Sequence, residues 1–186
     1  MEETDRQTTG RDTPIMGATV LTSTATADDA FAAVFADQRE RAVRLAWLLV
    51  GDPDQAEDVA AEAFAKTWRR WRRGGIDDPS AYVRRAVVNE ANSRLRRRYR
   101  ERAEAQRATG DHRGIRLVDE DAADRDEVWR ALRRVPPRQR AALVLRFYED
   151  LPEREVAAVL GISVGTVKSL TSRGLDRLQQ AMEVAR

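Results

Sequence analysis

The segment Glu153–Lys168 constrains this chain more than any other, because each of its positions has one job in two helices joined at a sharp corner. Ala157 is small where two helices would cross closely. Gly161 accepts the positive φ that such a corner requires. Ile162 is placed to fill the angle, and Ser163 to cap the helix that follows. Val167 and Leu170 then point back to a core, which leaves Gly165, Thr166, Lys168, Ser169, Ser172 and Arg173 on the outer face. With Ser163, these short polar and basic side chains suit the phosphates and base edges of duplex DNA. The order predicts a helix-turn-helix. A plain αα-corner with a solvated face is the competing reading, but it does not require small, turn, plug and cap residues to fall in this sequence. Gly165-Thr166-Val167-Lys168 is no phosphate loop, since the Gly-x-x-x-x-Gly-Lys spacing is absent. Gly174 falls inside the last predicted helix, where glycine costs about 1 kcal/mol relative to alanine, and no function for it is legible.

The rest of the chain also reads as helix. From Asp28 to Val50 an apolar face is supplied by Phe31, Val34, Phe35, Val43, Leu45, Trp47 and Leu48. Asp52-Pro53 and Asp78-Pro79 each pair a capping residue with a proline suited to a first helical turn. They open helices predicted over Pro53–Trp71 and from Pro79 to about Arg102, with Gly74-Gly75 between them. Periodicity resumes near Asp124 with Val128, Trp129, Leu132 and Val135 as a core face, and Pro136-Pro137 interrupts it. Helices then follow over about Ala141–Tyr148, Pro152–Leu160 and Val164–Met182. The expectation is an all-α chain of two small helical domains, 28–102 and 124–186, joined by a flexible linker over 103–123. Residues 1–27 lack large apolar side chains and are expected to form a disordered tail.

Charge is segregated rather than excessive. The chain has 33 basic and 31 acidic residues. Asp52–Glu62 holds five acids and no base, whereas Lys66–Arg102 holds 13 Lys and Arg against 4 Asp and Glu. A helix so crowded with arginine favours a polyanion, although a solvated helix end would look similar. Of the aromatics in this stretch, Trp68 and Tyr82 lie on the apolar face, leaving Trp71 and Tyr99 as candidates to stack on unpaired bases. There is no cysteine, so disulfides and thiol chemistry are excluded. With one histidine, His112, in the predicted linker and no acids at metal-ligand spacing, neither a catalytic site nor a metal or cofactor site is expected. No apolar run is long enough for membrane insertion and no secretory signal opens the chain, so a cytoplasmic location is expected.

Residues 28–102 and 124–183 together resemble an extracytoplasmic-function (group 4) sigma factor of the sigma-70 family. The likeness rests on Ala56–Phe64 for region 2.2, Tyr82–Asn89 for regions 2.3 and 2.4, Leu132–Leu151 for region 4.1 and the helix-turn-helix for region 4.2. Pro136–Arg140 and Val164–Ser169 are especially similar to the actinobacterial SigE family. Ala61 stands where family members often have Gln, and Tyr82 where they often have Trp. The resemblance implies an alternative sigma factor with bacterial core RNA polymerase and promoter DNA as partners, and it leaves room for an anti-sigma factor. Glu57, Asp58 and Glu62 would bind core polymerase. Arg84, Arg85, Asn89, Asn92, Arg96 and Arg97 would engage an opened −10 element, with a flipped base near Asn89 and the loop 73–80. Ser163, Gly165, Thr166, Lys168, Ser169, Ser172 and Arg173 would read the −35 element. A stand-alone DNA-binding regulator would need a sensory pocket or a dimer seam, and residues 28–102 offer neither. A nucleic-acid enzyme lacks its catalytic groups.

Overall fold

A computed structural model of the chain describes residues 17–109 and 127–184, and every regular element among them is helical. The first unit comprises α1 (Gly17–Val50), α2 (Pro53–Trp71) and α3 (Pro79–Thr109). Asp52 caps α2 by accepting from the Gln55 amide at 2.8 Å, and Asp78 does the same for α3 through Ala81 at 2.9 Å. Each helix carries one apolar stripe, so three must combine to remove those stripes from water. Leu45, Ala46 and Leu49 of α1 close on Ala56, Val59, Ala63 and Phe64 of α2 and on Val83, Val87, Val88 and Ala91 of α3.

The second unit comprises α4 (Glu127–Arg134), α5 (Pro137–Leu143), α6 (Glu153–Leu160) and α7 (Val164–Glu183). One turn of π-helix, Val144–Tyr148, continues α5. Leu132, Val135, Leu143, Val144, Leu145, Leu151, Val156, Ala157 and Val167 form its interior. Gly174 belongs to this packing: a Cβ there would lie 3.0 Å from Leu143 Cγ, so a methyl enters between α5 and α7 only if a neighbour gives by a few tenths of an ångström.

Several expectations change. Helix α1 begins at Gly17, so the expected disorder over 17–27 gives way to helix. Helix α3 continues to Thr109, into the expected linker. The remainder of the tail (1–16) and of the linker (110–123) lies outside the described residues. Val128, assigned to the core face, is 50% exposed, because α4 is short and turns Trp129 and Leu132 inward instead.

The two units meet through α1 and α4. The Trp129 ring packs on Trp47 of α1 with centroids 4.3 Å apart and planes at 47°. It also lies against Gly51, where φ is +84° and a Cβ would come within 3.1 Å of the indole. Aromatic pairs of this tilt add about 0.5–1.5 kcal/mol beyond the area they bury. Among the described residues no helix is long and apolar enough to cross a membrane.

Candidate nucleic-acid interface

The corner between α6 and α7 is built as its residues demand. Gly161 adopts φ 66° and ψ 38°, the left-handed conformation that ends α6. The Ile162 amide reaches back to the Ala157 carbonyl at 3.1 Å, so the turn satisfies carbonyls that the helix end leaves open. Ser163 Oγ accepts from the Thr166 amide at 3.2 Å and lies 2.8 Å from the Thr166 hydroxyl. Gly165, Thr166, Lys168, Ser172 and Arg173 are exposed and Ser169 is half-buried. Arg173 donates to the Ser169 hydroxyl, and Lys168 Nζ sits 3.7 Å from Glu153. The unpaired amides at the start of α7 carry partial positive charge, which favours an anion there.

On α3, Arg84, Arg85, Asn89, Asn92 and Arg96 fall in three environments, with Asn89 shared by two of them. Arg85 and Asn89 line a cavity of about 340 Å³ with Lys66, Tyr82, Glu90 and Ser93. This cavity includes Asn89 and Lys66 of α2, and no residue of the loop 73–80 lines it. Asn92 and Arg96 line a second cavity of about 430 Å³, whose other wall includes Leu160, Ile162, Thr166 and Leu170 of the helix-turn-helix. Arg84 faces neither, being bound to Glu149 of the second unit.

The arginine run is less unbalanced than its count implies. Arg94 pairs with Asp58 at 3.2 Å, Arg97 with Glu101 at 3.1 Å, and Arg98 donates to Gln55 at 3.3 Å. Lys66 is paired with Glu90, and this hydrogen bond is the main reason its ammonium holds its proton more firmly than usual. The two aromatics expected to be free are engaged. Trp71 donates its indole N–H to the Ala27 carbonyl at 3.2 Å, and Tyr99 is half-buried beside the groove between the units.

The acidic residues of α2 are also paired within the chain. Glu57 meets Arg39 at 3.0 Å, Asp58 meets Arg94, and Glu62 meets Arg69 at 3.2 Å and Lys66 at 3.6 Å. Exposed pairs of this kind are worth about 0–1 kcal/mol each, so a partner can exchange them. Two buried charges carried no sequence signal. Glu149 is enclosed at the junction of the units, and Arg140 is buried in α5 without a carboxylate partner among the described residues. Burial lowers the Arg140 guanidinium to about 10, with Tyr99 opposing the shift and Arg133 adding to it.

Two family models match the chain. Sigma-70 region 2 covers residues 34–101, and Sigma-70, region 4 covers residues 125–178. The RNA polymerase sigma-E factor of Streptomyces antibioticus is 37% identical over 140 residues, spanning 73% of this chain and 74% of that one. The chain belongs to the sigma-70 family. Its relatives include the ECF RNA polymerase sigma factor SigE of Mycolicibacterium smegmatis, 31% identical over 145 residues, which are 75% of this chain and 56% of the relative. The sigma factor RpoE of Bartonella quintana, solved with the anti-sigma factor NepR, superposes with a TM-score of 0.65 at 25% identity. That likeness covers 84% of this chain and 99% of the other. The sigma-70 protein described here is therefore an extracytoplasmic-function sigma factor, a promoter-recognition factor of transcription initiation and not an enzyme.

Proposed function

We propose that this sigma factor divides promoter recognition between two surfaces and docks on core RNA polymerase through a third, in the bacterial cytoplasm. The −35 duplex is read by the start of α7, where Gly165, Thr166, Lys168, Ser172 and Arg173 are exposed around the Ser163 cap, with Ser169 beside them. The −10 strand follows α3, with Arg84, Arg85, Asn89, Asn92, Arg96 and Arg97 along its path and the cavity beside Asn89 able to receive an unstacked base. Glu57, Asp58 and Glu62 of α2 exchange their exposed intramolecular pairs for basic residues of the polymerase. The observation that carries this reading is the capped corner at Gly161–Ser163 beside an arginine-rich helix, in a chain matched by both sigma-70 regions. An anti-sigma factor, such as the Bartonella relative binds, is among the partners we assign.

The test is transcription from a fragment library with core polymerase in the presence and absence of this chain, followed by sequencing of the transcript ends. New start sites sharing two spaced elements are the expected result. Failure to bind the core, or no new start sites, refutes the reading.

A further inference from the structure

The chain meets almost every need for positive charge with arginine. Of its 33 Lys and Arg residues, only Lys66 and Lys168 are lysine. The two side chains differ chemically: a guanidinium keeps its proton and is no nucleophile, whereas a lysine amine attacks acyl groups once its proton is lost. Both lysines stand on proposed promoter-reading surfaces, one beside Asn89 in the cavity along α3 and the other near the start of α7. Their surroundings are opposite. Lys66 is bonded to Glu90 and lies 3.6 Å from Glu62, and the Glu90 bond keeps its ammonium protonated. Lys168 is 66% exposed, and Glu153 stands 3.7 Å away, beyond hydrogen-bond reach. The approach to Lys168 is open as well. Gly165, one turn earlier on the same face, carries no side chain, and a Cβ added there would meet nothing nearer than Ser163 Oγ at 3.9 Å. Ser172 is exposed one turn later, and Arg173 reaches back to the Ser169 hydroxyl.

Resting on the −35 reading given above, we propose that Lys168 is an acylation site at which a small acyl phosphate switches off recognition of the −35 duplex. The face that suits a DNA phosphate suits the phosphate of such a donor too, through Arg173 and the hydroxyls around Lys168. The deprotonated Nζ attacks the acyl carbonyl. A C–N amide bond forms, the C–O bond to phosphate breaks, and inorganic phosphate leaves with that electron pair. The proton lost from nitrogen passes to water. The product is a neutral amide, so the face loses one positive charge and the contact it made with DNA. The arginines of α3 are inert to the same donor, and Lys66 is held protonated by its carboxylates. Acylation therefore acts on the −35 surface and spares the −10 surface.

The chain is treated with acetyl phosphate, or with an uncharged acetyl ester of matched reactivity, and both lysines are followed by peptide mass spectrometry. It is then assembled with core polymerase, and affinity is measured for a promoter fragment recovered by the transcript-end assay above. Lys168 is expected to be acetylated faster than Lys66, by a wider margin with acetyl phosphate than with the ester. Core binding is expected to stay unchanged while promoter affinity falls about fivefold or more and the salt slope by about 0.9. In Lys168→Arg, treatment is expected to leave promoter affinity at its own starting value. Lys66 reacting as fast as Lys168, or an equal margin with both donors, overturns the site. Acetylation of Lys168 without loss of promoter affinity overturns the switch. If the untreated holoenzyme binds no promoter, the −35 reading itself fails, and that result is seen before any acetyl group is added.

Discussion

Two glycines on one helix should respond to the same substitution with opposite signs. Replacing glycine by alanine in a helix is worth up to about 1 kcal/mol, because alanine has less backbone freedom to lose. At Gly165 nothing opposes that gain, since the nearest atom to a new Cβ is Ser163 Oγ at 3.9 Å. At Gly174 the Cβ would sit 3.0 Å from Leu143 Cγ, 3.1 Å from its Cδ1 and 3.4 Å from Gln139 Cβ. Leu143 is buried and cannot swing aside into solvent, so α7 must shift away from α5. Overfilling a packed interior by one methyl costs about 1–3 kcal/mol. Set against the helix gain, Gly174→Ala comes out destabilising by about 0–2 kcal/mol, whereas Gly165→Ala stabilises by about 0.5–1 kcal/mol. At about 2–4 °C per kcal/mol for a chain of this length, thermal melts followed by circular dichroism resolve the two. Gly174→Val, bulkier and β-branched, should lower Tm further than Gly174→Ala. If Gly174→Ala raises Tm as much as Gly165→Ala does, close approach of the helices is not what requires glycine there, and the argument fails.

Lys168→Ala and Arg173→Ala should each weaken −35 duplex binding by about 1–3 kcal/mol where the side chain meets a base, and unchanged affinity for both at moderate salt removes that face from recognition. Along α3, Arg96→Ala should reduce the slope of log affinity against log salt by about 0.7–0.9, the contribution of one phosphate, whereas a solvated helix end predicts no change. Arg140→Met should stabilise the fold by on the order of 1 kcal/mol at pH 7, since it removes a buried charge with no carboxylate partner among the described residues. The folded chain releases the Arg140 proton near pH 10 while the unfolded chain keeps it to higher pH, so the unmutated protein gains stability as pH rises above about 10. The advantage of Arg140→Met, measured by urea unfolding, should therefore shrink above pH 10, and an advantage independent of pH contradicts the burial argument.

What was legible in the sequence acts over a few residues. Asp52 and Asp78 cap helices three residues downstream, and Gly161 and Ser163 fix a corner within one turn, so residue type and spacing were enough. What was not legible acts across the fold. Asp58 and Arg94 neutralise each other over 36 residues of sequence, and no local charge count reveals it. Trp71 looked free because its acceptor, the Ala27 carbonyl, lies in a stretch that reads as the edge of a disordered tail. Gly174 has no local rationale because its reason is Leu143 on another helix. Glu149 carries no sequence signal at all: it follows an apolar helix as an ordinary polar residue would, and only the docking of two units makes it a buried charge.

That distinction orders the charged groups by what disturbing them would do. Glu57, Asp58 and Glu62 lie in pairs open to solvent, so each contact can be traded singly at small cost. Glu149 differs in kind, because a buried carboxylate deprived of its arginines is strongly unfavourable unless water reaches it. Its two arginines are not equivalent: Arg41 is half exposed and can turn to solvent, whereas Arg84 is largely covered and holds the carboxylate from within. Exposed pairs thus contribute little to the fold, while the enclosed carboxylate is tied to how the two units meet.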